Sequence, residues 1–496
     1  MIIVTPSQMA DIDRETIQSQ GLPGLVLMEN AARSCLPFIP EGQAVTVLVG
    51  PGNNGGDGLV LARALKEQGR TVNCLLLSSS RSEDAQIQHK LSENWGVTHH
   101  DCSDEQKLAV ALSGLPPQDI LVDALFGTGL SRALEGRWKK IVEWCNSSPA
   151  HQFSIDIPSG IDGRNGQILG IAVQAQQTVT FGCLKPAHLL YPGKQFCGQV
   201  HLTEPGFHPE ALQKYDRVQL FEEEWAKRFL PACWPTMHKG DNGRLLLVTG
   251  SSTYPGAGIL SVLGAVRGGA GLVTYSCDEQ QSQHTLSWCP EAMPVSRPEL
   301  PDLNQYNAIV VGCGLGRQAA SLGLEVMRKA PCPLVIDADC IPYVAELPST
   351  TTHQSVLTPH PGELAKLLGK SVEELEMDRI ATARSTARDF GCVVCFKGKP
   401  TVTAAPDGRT FVNSTGTPNL AQGGSGDLLA GIIGAYLAYG LPSLEAAACG
   451  AYIHGLASQL ASEQFGARGV SAHKIAELVP IAYRNAVGKT GTFPVF

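Results

Sequence analysis

The sequence lacks the features expected of a membrane-spanning or exported protein. Its first residues, MIIVTPSQMADIDRE, contain neither a basic start nor a long apolar stretch, which predicts that there is no secretory signal. The apolar run between Asp427 and Glu445 is shorter than the ~18–20 residues needed to cross a bilayer, and glycine interrupts it. We therefore expect a buried core helix there, no membrane partner and a cytoplasmic location.

Paired CxxC clusters of the kind that bind structural zinc are also absent. The fifteen cysteines are an odd number, and most lie in apolar runs that resemble strands, such as those around Cys74, Cys313, Cys392 and Cys395. This pattern predicts scattered, reduced, buried thiols rather than a disulfide framework.

Charge is scarce as well. Charged residues make up only 17% of the chain and hydrophobic residues 43%, so a large core can form. The formal net charge is −8 and the pI about 5.9, which gives no overall attraction for nucleic acid. We expect a globular protein of 496 residues with more than one domain and no nucleic-acid partner.

Apolar runs typical of strands alternate with helical patterns along most of the chain. In the first half we predict strands at 44–50, 71–77, 119–126, 152–158 and 178–182, and helices at 57–69, 82–95 and 138–146. In the second half we predict strands at 244–250, 272–277, 308–314, 333–340 and 392–398, and helices at 256–268, 318–329, 378–389, 425–440 and 443–463. This alternation predicts α/β domains with parallel sheets covered on both faces. A boundary near 211–222 predicts domains at 1–215 and 222–496.

The first glycine-rich motif, GPGNNGGDG at 50–58, follows a predicted strand and opens a predicted helix. Successive backbone N–H groups at such a turn can hold phosphate. A tight turn without a ligand is the alternative, but the polar side chains of Asn53, Asn54 and Asp57 favour binding.

Two further predicted strand ends carry carboxylates, Asp123 in VDALFGTG (122–129) and Asp156 in SIDIPSG (154–160). Ligands of open parallel sheets bind outside the carboxyl ends of the strands, so we expect these loops to meet. Asp123 either caps a loop or binds a hard cation together with oxygens of Asn54 and Ser159.

The first half carries, in order, the motifs LMENAA (27–32), GPGNNGGDG, VDALFGTG, SIDIPSG and VTFGCLKP (179–186). Taken together, they resemble the YjeF N-terminal domain, the NAD(P)HX epimerases, over about residues 8–205. The resemblance implies a Rossmann-like three-layer domain that binds a hydrated nicotinamide dinucleotide and a potassium ion. It implies Asn54, Asp123 and Ser159 as potassium ligands and Asp156 as the catalytic acid/base, with Lys185 a weaker candidate that could instead be a surface lysine. The dinucleotide contacts that it implies are Asn53, Asn54, Gly55, Gly56, Asp57, Gly127, Thr128, Gly129, Leu130, Ser131, Arg132 and Ala133.

In the second half, GGSGDLLAG (423–431) is the most informative motif. Its glycines can present free N–H groups at a helix start, where the helix dipole favours anions. Asp427 either caps that helix or serves as a base beside a phosphate pocket. Lys397 and Lys399 either steady nucleotide phosphates or are ordinary turn lysines, and His360 either caps a helix or contacts a ligand.

The second half carries, in order, the motifs HKGDNGRLLLVTGS (238–251), GAGLV (269–273), GCGLG (312–316), LTPHPGE (357–363), KGKPT (397–401) and GGSGDLLAG. This ordered set resembles the ribokinase-like superfamily, specifically the YjeF C-terminal ADP-dependent NAD(P)HX dehydratases, over about residues 225–485. The resemblance implies a ribokinase-like α/β domain with Asp427 as the catalytic base. It implies substrate contacts at Gly258, Gly316 and His360, and adenine-nucleotide contacts at Lys397, Gly398, Lys399, Pro400, Thr401 and Gly426. ADP is the implied co-substrate and magnesium a further candidate, although no clean magnesium ligand set is visible.

The two resemblances together predict a bifunctional isomerase and lyase. The first domain would interconvert R- and S-NAD(P)HX, and the second would convert the S form to NAD(P)H while ADP yields AMP and phosphate. A homo-oligomer is expected. The alternatives are a ribokinase-like kinase of a small vitamin precursor fused to a dinucleotide-binding module, and a first domain that serves only as a scaffold.

Overall fold

The computed structural model describes residues 1–297, 300–316, 320–348 and 354–488. The chain divides into two compact units, Met1–Val218 and Gln219–Phe496. Residues 317–319, where the predicted helix 318–329 begins, and residues 489–496 of the predicted second domain lie outside the described part.

The first unit contains a sheet of seven parallel strands in the order β3-β2-β1-β4-β5-β6-β7. The strands are β1 (Ala44–Val49), β2 (Thr71–Leu76), β3 (Thr98–Asp101), β4 (Ile120–Ala124), β5 (His151–Ile155), β6 (Gln177–Phe181) and β7 (Gln199–Thr203). The helices are α1 (Pro6–Gln18), α2 (Gly24–Ser34), α3 (Asn53–Glu67), α4 (Glu83–Asn94), α5 (Glu105–Gly114), α6 (Arg137–Ser147), α7 (Lys194–Cys197) and α8 (Pro209–Gln213), with 3-10 turns at Leu36–Phe38 and Pro186–His188.

The second unit contains a ten-stranded sheet in the order β11-β10-β9-β12-β13-β14-β15-β16-β17-β8. Its strands are β8 (Val218–Phe221), β9 (Arg244–Val248), β10 (Leu272–Cys277), β11 (Met293–Ser296), β12 (Ala308–Val311), β13 (Leu334–Ile336), β14 (Val356–Leu357), β15 (Val393–Phe396), β16 (Val402–Ala404) and β17 (Thr410–Asn413). The run from β11 to β15 is parallel, and β15, β16 and β17 are antiparallel neighbours.

The helices of the second unit are α9 (Glu223–Phe229), α10 (Pro255–Arg267), α11 (Glu279–Trp288), α12 (Ala320–Lys329), α13 (Pro361–Leu368), α14 (Val372–Met377), α15 (Arg379–Phe390), α16 (Ser425–Tyr439), α17 (Ser443–Phe465) and α18 (Ala472–Val487). Further 3-10 turns span Leu303–Gln305, Ala338–Glu346 and Pro418–Leu420. The predicted α/β class with parallel sheets is confirmed in both units.

Continuous burial explains why the central strands were predictable. Every residue of β4 is buried, and β1 is buried from Val45 to Val49, as expected when helices cover both faces of a parallel sheet. At the end of β1 the chain runs very close to the end of β4: a side chain at Gly50 would place its Cβ 1.7 Å from the Leu125 carbonyl oxygen. Glycine is therefore required where these two loops meet.

The core of the second unit is organised around α16, which is buried from Leu428 to Ala438, as predicted for the apolar run between Asp427 and Glu445. This helix packs closely on α10. A Cβ at Gly264 would lie 2.2 Å from the Leu428 carbonyl oxygen, and one at Gly431 would lie 2.1 Å from the Ser261 carbonyl oxygen. The contact fixes the position of the amino-terminal end of α16.

The fifteen cysteines are all free thiols, and all except Cys233 and Cys332 are buried, which confirms the sequence prediction. In the part of the chain that the structure describes, none of the helices combines the length and apolar character required to span a bilayer.

Candidate active sites

The order of the first sheet reverses between β1 and β4, and a cavity of about 550 Å³ opens at the carboxyl ends of these strands. This is the switch point at which open α/β sheets bind ligands. Among the predicted residues, the cavity is lined by Asn53, Asn54, Asp57, Gly127, Thr128, Gly129, Leu130, Ser131, Arg132 and Asp156. Lys185 and Asp13 line it as well.

Three predicted contacts do not line this cavity. Gly55 and Gly56 are buried in α3, where a Cβ at Gly55 would lie 2.2 Å from the Gly50 carbonyl oxygen and one at Gly56 would lie 2.7 Å from Met28. These two glycines allow α3 to pack closely, while Ala133 is exposed. The sequence motif thus contains packing glycines beside ligand-facing polar residues.

Asp156 follows β5 and has a left-handed backbone, with φ of 66°, which is uncommon for a residue other than glycine. Its Oδ1 accepts hydrogen bonds from Lys185 Nζ at 2.8 Å and from Thr180 Oγ1 at 3.0 Å. Its Oδ2 accepts a longer bond of 3.3 Å from the backbone N–H of Thr128. The carboxylate is therefore held firmly on one side and faces the cavity.

Lys185 is not a surface lysine, so that alternative is wrong. The residue is 1% exposed, and its ammonium group contacts Asp156, Thr180 Oγ1 at 2.8 Å and the Phe181 carbonyl at 3.1 Å. His188 steadies the same loop: its Nδ1 accepts from the Lys185 backbone N–H, so its Nε2–H donates to the Asp156 carbonyl at 2.8 Å. This is a fixed tautomer.

The cavity holds carboxyl groups in different protonation states. Burial opposes ionisation of Asp156, but the Lys185 cation and the hydrogen bond from Thr180 outweigh it, and the net pKa of Asp156 is lowered. Burial, with added repulsion from Asp156, raises the pKa of Asp13 to about 6 although Lys185 opposes the shift. Burial and repulsion from Asp156 and Asp13 also raise the pKa of Asp57. Lys185 thus favours ionisation of Asp156, while the pKa values of the two neighbouring carboxyl groups, Asp13 and Asp57, are raised.

Asp123 is fully buried at the end of β4 and accepts four hydrogen bonds. They come from Ser159 Oγ at 2.6 Å, the Ser159 backbone N–H at 2.7 Å, Ser154 Oγ at 3.0 Å and the Leu125 backbone N–H at 3.2 Å. Asp123 therefore ties the β4 and β5 loops together, which is the loop-capping interpretation. Asn54, the other predicted cation ligand, has a buried Nδ2 that makes no hydrogen bond within the described residues.

In the second unit, strand order reverses between β9 and β12, and the predicted residues cluster beyond the carboxyl ends of the same sheet. Asp427 lies in the first turn of α16, whose N-cap residue is Gly424, and the helix has no side-chain cap hydrogen bond. Carboxylate oxygens of Asp427 and Asp337 and the Sγ of Cys313 lie within 4.8 Å of one another. The capping interpretation of Asp427 is therefore wrong, and the carboxylate lies in a polar cluster.

Lys397 is the cation of this cluster. Its Nζ donates to Asp337 Oδ1 at 2.8 Å, lies 3.8 Å from Glu363 Oε2, and would lie 3.2 Å from a Cβ at Gly426. Lys397 is thus a partly buried partner of Asp337 beside the start of α16, and the turn-lysine interpretation is wrong for it. Lys399, by contrast, is exposed.

The carboxyl groups here again differ in pKa. Burial disfavours the charge of Asp337, but Lys397 and the 2.6 Å bond from Thr358 Oγ1 lower its pKa overall. Burial and repulsion from Asp337 raise the pKa of Asp427 to about 6, although Lys397 opposes this. Asp427 can therefore accept and release a proton near neutral pH.

Arg379 holds the loop after β15, which contains Lys397, Gly398, Lys399, Pro400 and Thr401. This side chain stacks 4.0 Å from the Phe396 ring and donates to the carbonyls of Phe396, Lys397 and Pro400. Arg379 is almost fully buried, so it fixes the predicted nucleotide loop from the side of the protein interior.

The predicted substrate contacts of the second unit have structural roles as well. His360 is the N-cap of α13, and its Nδ1 accepts from the Gly362 and Glu363 N–H groups, so the capping interpretation holds while its ring stays exposed. Gly258 is buried, and a methyl group there would lie 2.1 Å from the Tyr275 hydroxyl. Gly316, with φ of 77°, donates its N–H to Asp339.

Sequence reasoning did not identify Asp13, Asp337, Glu363 or Cys313 as site residues. Asp337 could have been found, because it lies in the carboxyl-terminal half of the predicted strand 333–340, close to the sheet edge where ligands bind. Asp13 had no such signal, because it lies on α1, far along the chain from the motifs whose side chains it joins.

Two family models match the chain. Residues 24–187 match the YjeF-related protein N-terminus, and residues 245–481 match NAD(P)H-hydrate dehydratase. Among solved structures, a ribokinase-like superfamily protein from Enterococcus faecalis V583 is 27% identical, with a TM-score of 0.50, and covers 55% of this chain and 97% of that one. This likeness agrees with the predicted ribokinase-like fold.

Curated relatives match almost the whole chain. The bifunctional NAD(P)H-hydrate repair enzyme Nnr of Thermofilum pendens is 35% identical over 98% of this chain and 96% of its own length. The Nnr protein of Escherichia coli strain K12 is 34% identical over 93% of this chain and 90% of its own length. The chain belongs to the family of bifunctional NAD(P)H-hydrate repair enzymes.

Proposed function

We propose that the first unit interconverts R- and S-NAD(P)HX and that the second converts S-NAD(P)HX to NAD(P)H at the expense of ADP. One observation carries the proposal: each unit places an ionised aspartate, paired with a lysine that is fully buried in the first unit and partly buried in the second, beside a second aspartate with a pKa of about 6. Neighbouring groups with separated pKa values are the arrangement that acid–base catalysis needs.

In the first unit, epimerisation requires the hydroxyl to leave the ring carbon as water and water to return on the opposite face. The departing hydroxyl needs a proton, and the returning water must lose one. Asp156, ionised beside Lys185, is the base, and Asp13 is the acid. Asn53, Asn54 and Asp57 in the first turns of α3 and the loop 127–132 bind the dinucleotide, with the backbone N–H groups at the start of α3 facing its phosphates.

The residues around Asn54, Asp123 and Ser159 suit a potassium ion in donor chemistry. Carboxylate, hydroxyl and amide oxygens are hard ligands. The Asn54 amide end is buried and unpaired within the described residues, and an amide flip would present its oxygen instead. Bound there, the ion would neutralise Asp123 and place positive charge near the cavity.

In the second unit, Asp427 removes the proton from the hydroxyl of the hydrated ring, and that oxygen attacks the terminal phosphoryl group of ADP, which releases AMP. The C–O bond of the resulting phosphate ester then breaks, phosphate leaves, and loss of a ring proton restores NAD(P)H. Lys397 and the N–H groups at Gly424–Gly426 face the developing phosphate charge. The loop 397–401 contacts the adenine nucleotide.

The described residues beside Asp427 offer no complete ligand set for magnesium, an ion that binds mainly through nucleotide phosphates, water and one or two carboxylates. Asp337 Oδ1 is already bonded to Lys397 and Thr358, and the third member of the cluster, Cys313, is a soft ligand whose pKa is raised by burial.

The decisive assay supplies the purified full-length chain with mixed R- and S-NADHX and ADP. We expect full recovery of the near-ultraviolet absorbance of NADH, with one AMP and one phosphate formed per NADH. Recovery limited to the S share would contradict the epimerase assignment. A stable phosphorylated small molecule, with no NADH, would support the kinase alternative instead.

The dehydratase rate should depend on pH through Asp427. Because the base must be ionised and its pKa is raised to about 6, kcat/KM for S-NADHX should fall as pH drops below about 6 and level off above it. The measurement is a kcat/KM profile at saturating ADP. A profile that stays flat to well below pH 6 would exclude Asp427 as the base.

A further inference from the structure

We propose that His89, Glu93 and His99 form a binding site for a divalent transition-metal cation of the Zn²⁺ class. The site lies between α4 and the edge strand β3 of the first sheet, and it goes beyond the repair chemistry of both clefts. Its three potential ligand atoms lie within 4.8 Å of one another.

The distances suit tetrahedral coordination. Glu93 Oε1 lies 3.8 Å from His89 Nε2 and 3.6 Å from His99 Nδ1, which is too long for a hydrogen bond. Ligands bound about 2.0–2.1 Å from a tetrahedral zinc ion are roughly 3.4 Å apart, so only small movements are needed. Glu93 is half exposed, which leaves room for a water molecule as the fourth ligand.

The hydrogen bonds of Ser92 fix the tautomer of His99. Ser92 Oγ lies 2.8 Å from the His89 carbonyl oxygen and 3.0 Å from His99 Nε2. Both hydrogen bonds form together only if the hydroxyl donates to the carbonyl and accepts from His99 Nε2–H. His99 therefore carries its proton on Nε2 and has a lone pair on Nδ1, the atom that faces Glu93. A metal-bound histidine that donates its other N–H to a neighbouring group has this arrangement.

Within the part of the chain that the structure describes, both inward-facing nitrogens lack a hydrogen-bond partner. His89 Nε2 and His99 Nδ1 are buried and make no hydrogen bond within the described residues, and the His99 side chain is only 10% exposed. A lone pair that faces a carboxylate in a buried position is unfavourable unless a cation lies between them.

One nearby group opposes the ion. The Arg81 guanidinium is close enough to both imidazoles for its positive charge to act on them, so it repels a cation in this position. Its removal should therefore strengthen metal binding, a change that a purely structural histidine cluster would not produce.

The test is a Zn²⁺ and Co²⁺ titration of the full-length protein against a competing chelator. We expect the wild type to bind one equivalent that H99A and H89A each lose. S92A should weaken binding about 10–100-fold, because it removes the group that orients His99. R81Q should tighten binding. H100A is the matched control, because His100 is the next residue of β3 and bonds to Asn73 instead; it should bind like the wild type.

The Co²⁺ spectrum separates this site from the Cys313, Asp337 and Asp427 cluster. Binding at the histidines gives visible d–d bands without a thiolate charge-transfer band, and C313S should retain them. The proposal fails if H99A and H89A, with unchanged circular dichroism, bind as much metal as the wild type, or if the bound equivalent disappears in C313S. Neither result bears on NADH recovery, so this failure is distinct from a failure of the proposed repair function.

Discussion

Replacement of Asp427 by asparagine should lower kcat/KM for conversion of S-NADHX to NADH by about 10²–10⁴-fold, the usual contribution of a general base. Asparagine keeps the shape of the side chain but cannot accept the hydroxyl proton. The rate is measured as NADH formation from S-NADHX at saturating ADP. Epimerisation, followed as exchange between the R and S forms, should be unchanged because it takes place in the other unit.

D407N serves as the matched control, because Asp407 lies in an exposed turn after β16 and pairs with Arg409. It should keep the wild-type rate. If Asp427 acted only through the dipole of α16, D427N would cost stability of about 0.3–1 kcal/mol and little activity. Retention of more than a tenth of the wild-type rate would therefore exclude its role as the base.

The fold could be predicted from sequence where burial is continuous. The predicted strands 44–50 and 71–77 agree with β1 and β2 to within one residue, because buried parallel strands consist of uninterrupted apolar runs. The edge strand β3, with the sequence THHD, and the two-residue strand β14 have no such run, and both were missed. Helix α3 begins at Asn53, before the predicted residue 57, because the NNGG segment is already helical.

The candidate sites, like the fold, were predictable only in part. Motifs located Asp156 and Asp427, since each lies at the end of an element next to a glycine-containing turn: Asp156 directly precedes its turn and Asp427 follows it. The motifs did not identify the lysine that pairs with the ionised aspartate in each site. Whether Lys185 lies at the surface or beside Asp156 depends on how the loop after β6 folds back, and the hydrogen bonds of His188 decide that. Contacts between segments far apart in the chain form only in the tertiary structure, and they leave no recognisable pattern in the local sequence.

The Asp156–Lys185 pair should behave as one catalytic unit. We expect D156N to lower the rate of R/S exchange by about 10²–10⁴-fold. K185M should have an effect of similar size, because without its cation the buried Asp156 is more easily protonated and no longer serves as the base. The double variant should then be little slower than either single one, since residues that act together are not additive.

The second unit provides the internal control for these variants. Loss of one partner of a buried ion pair can destabilise a protein by about 3–5 kcal/mol, so lost exchange alone could reflect an unfolded first unit. NADH formation from pure S-NADHX should persist in all three variants, and the double variant, which leaves no unpaired buried charge, should melt at a higher temperature than K185M. Exchange losses that add up across the two positions, with the first unit folded, would mean that Lys185 acts independently of Asp156 and that the pair is not the acid–base centre of the cavity.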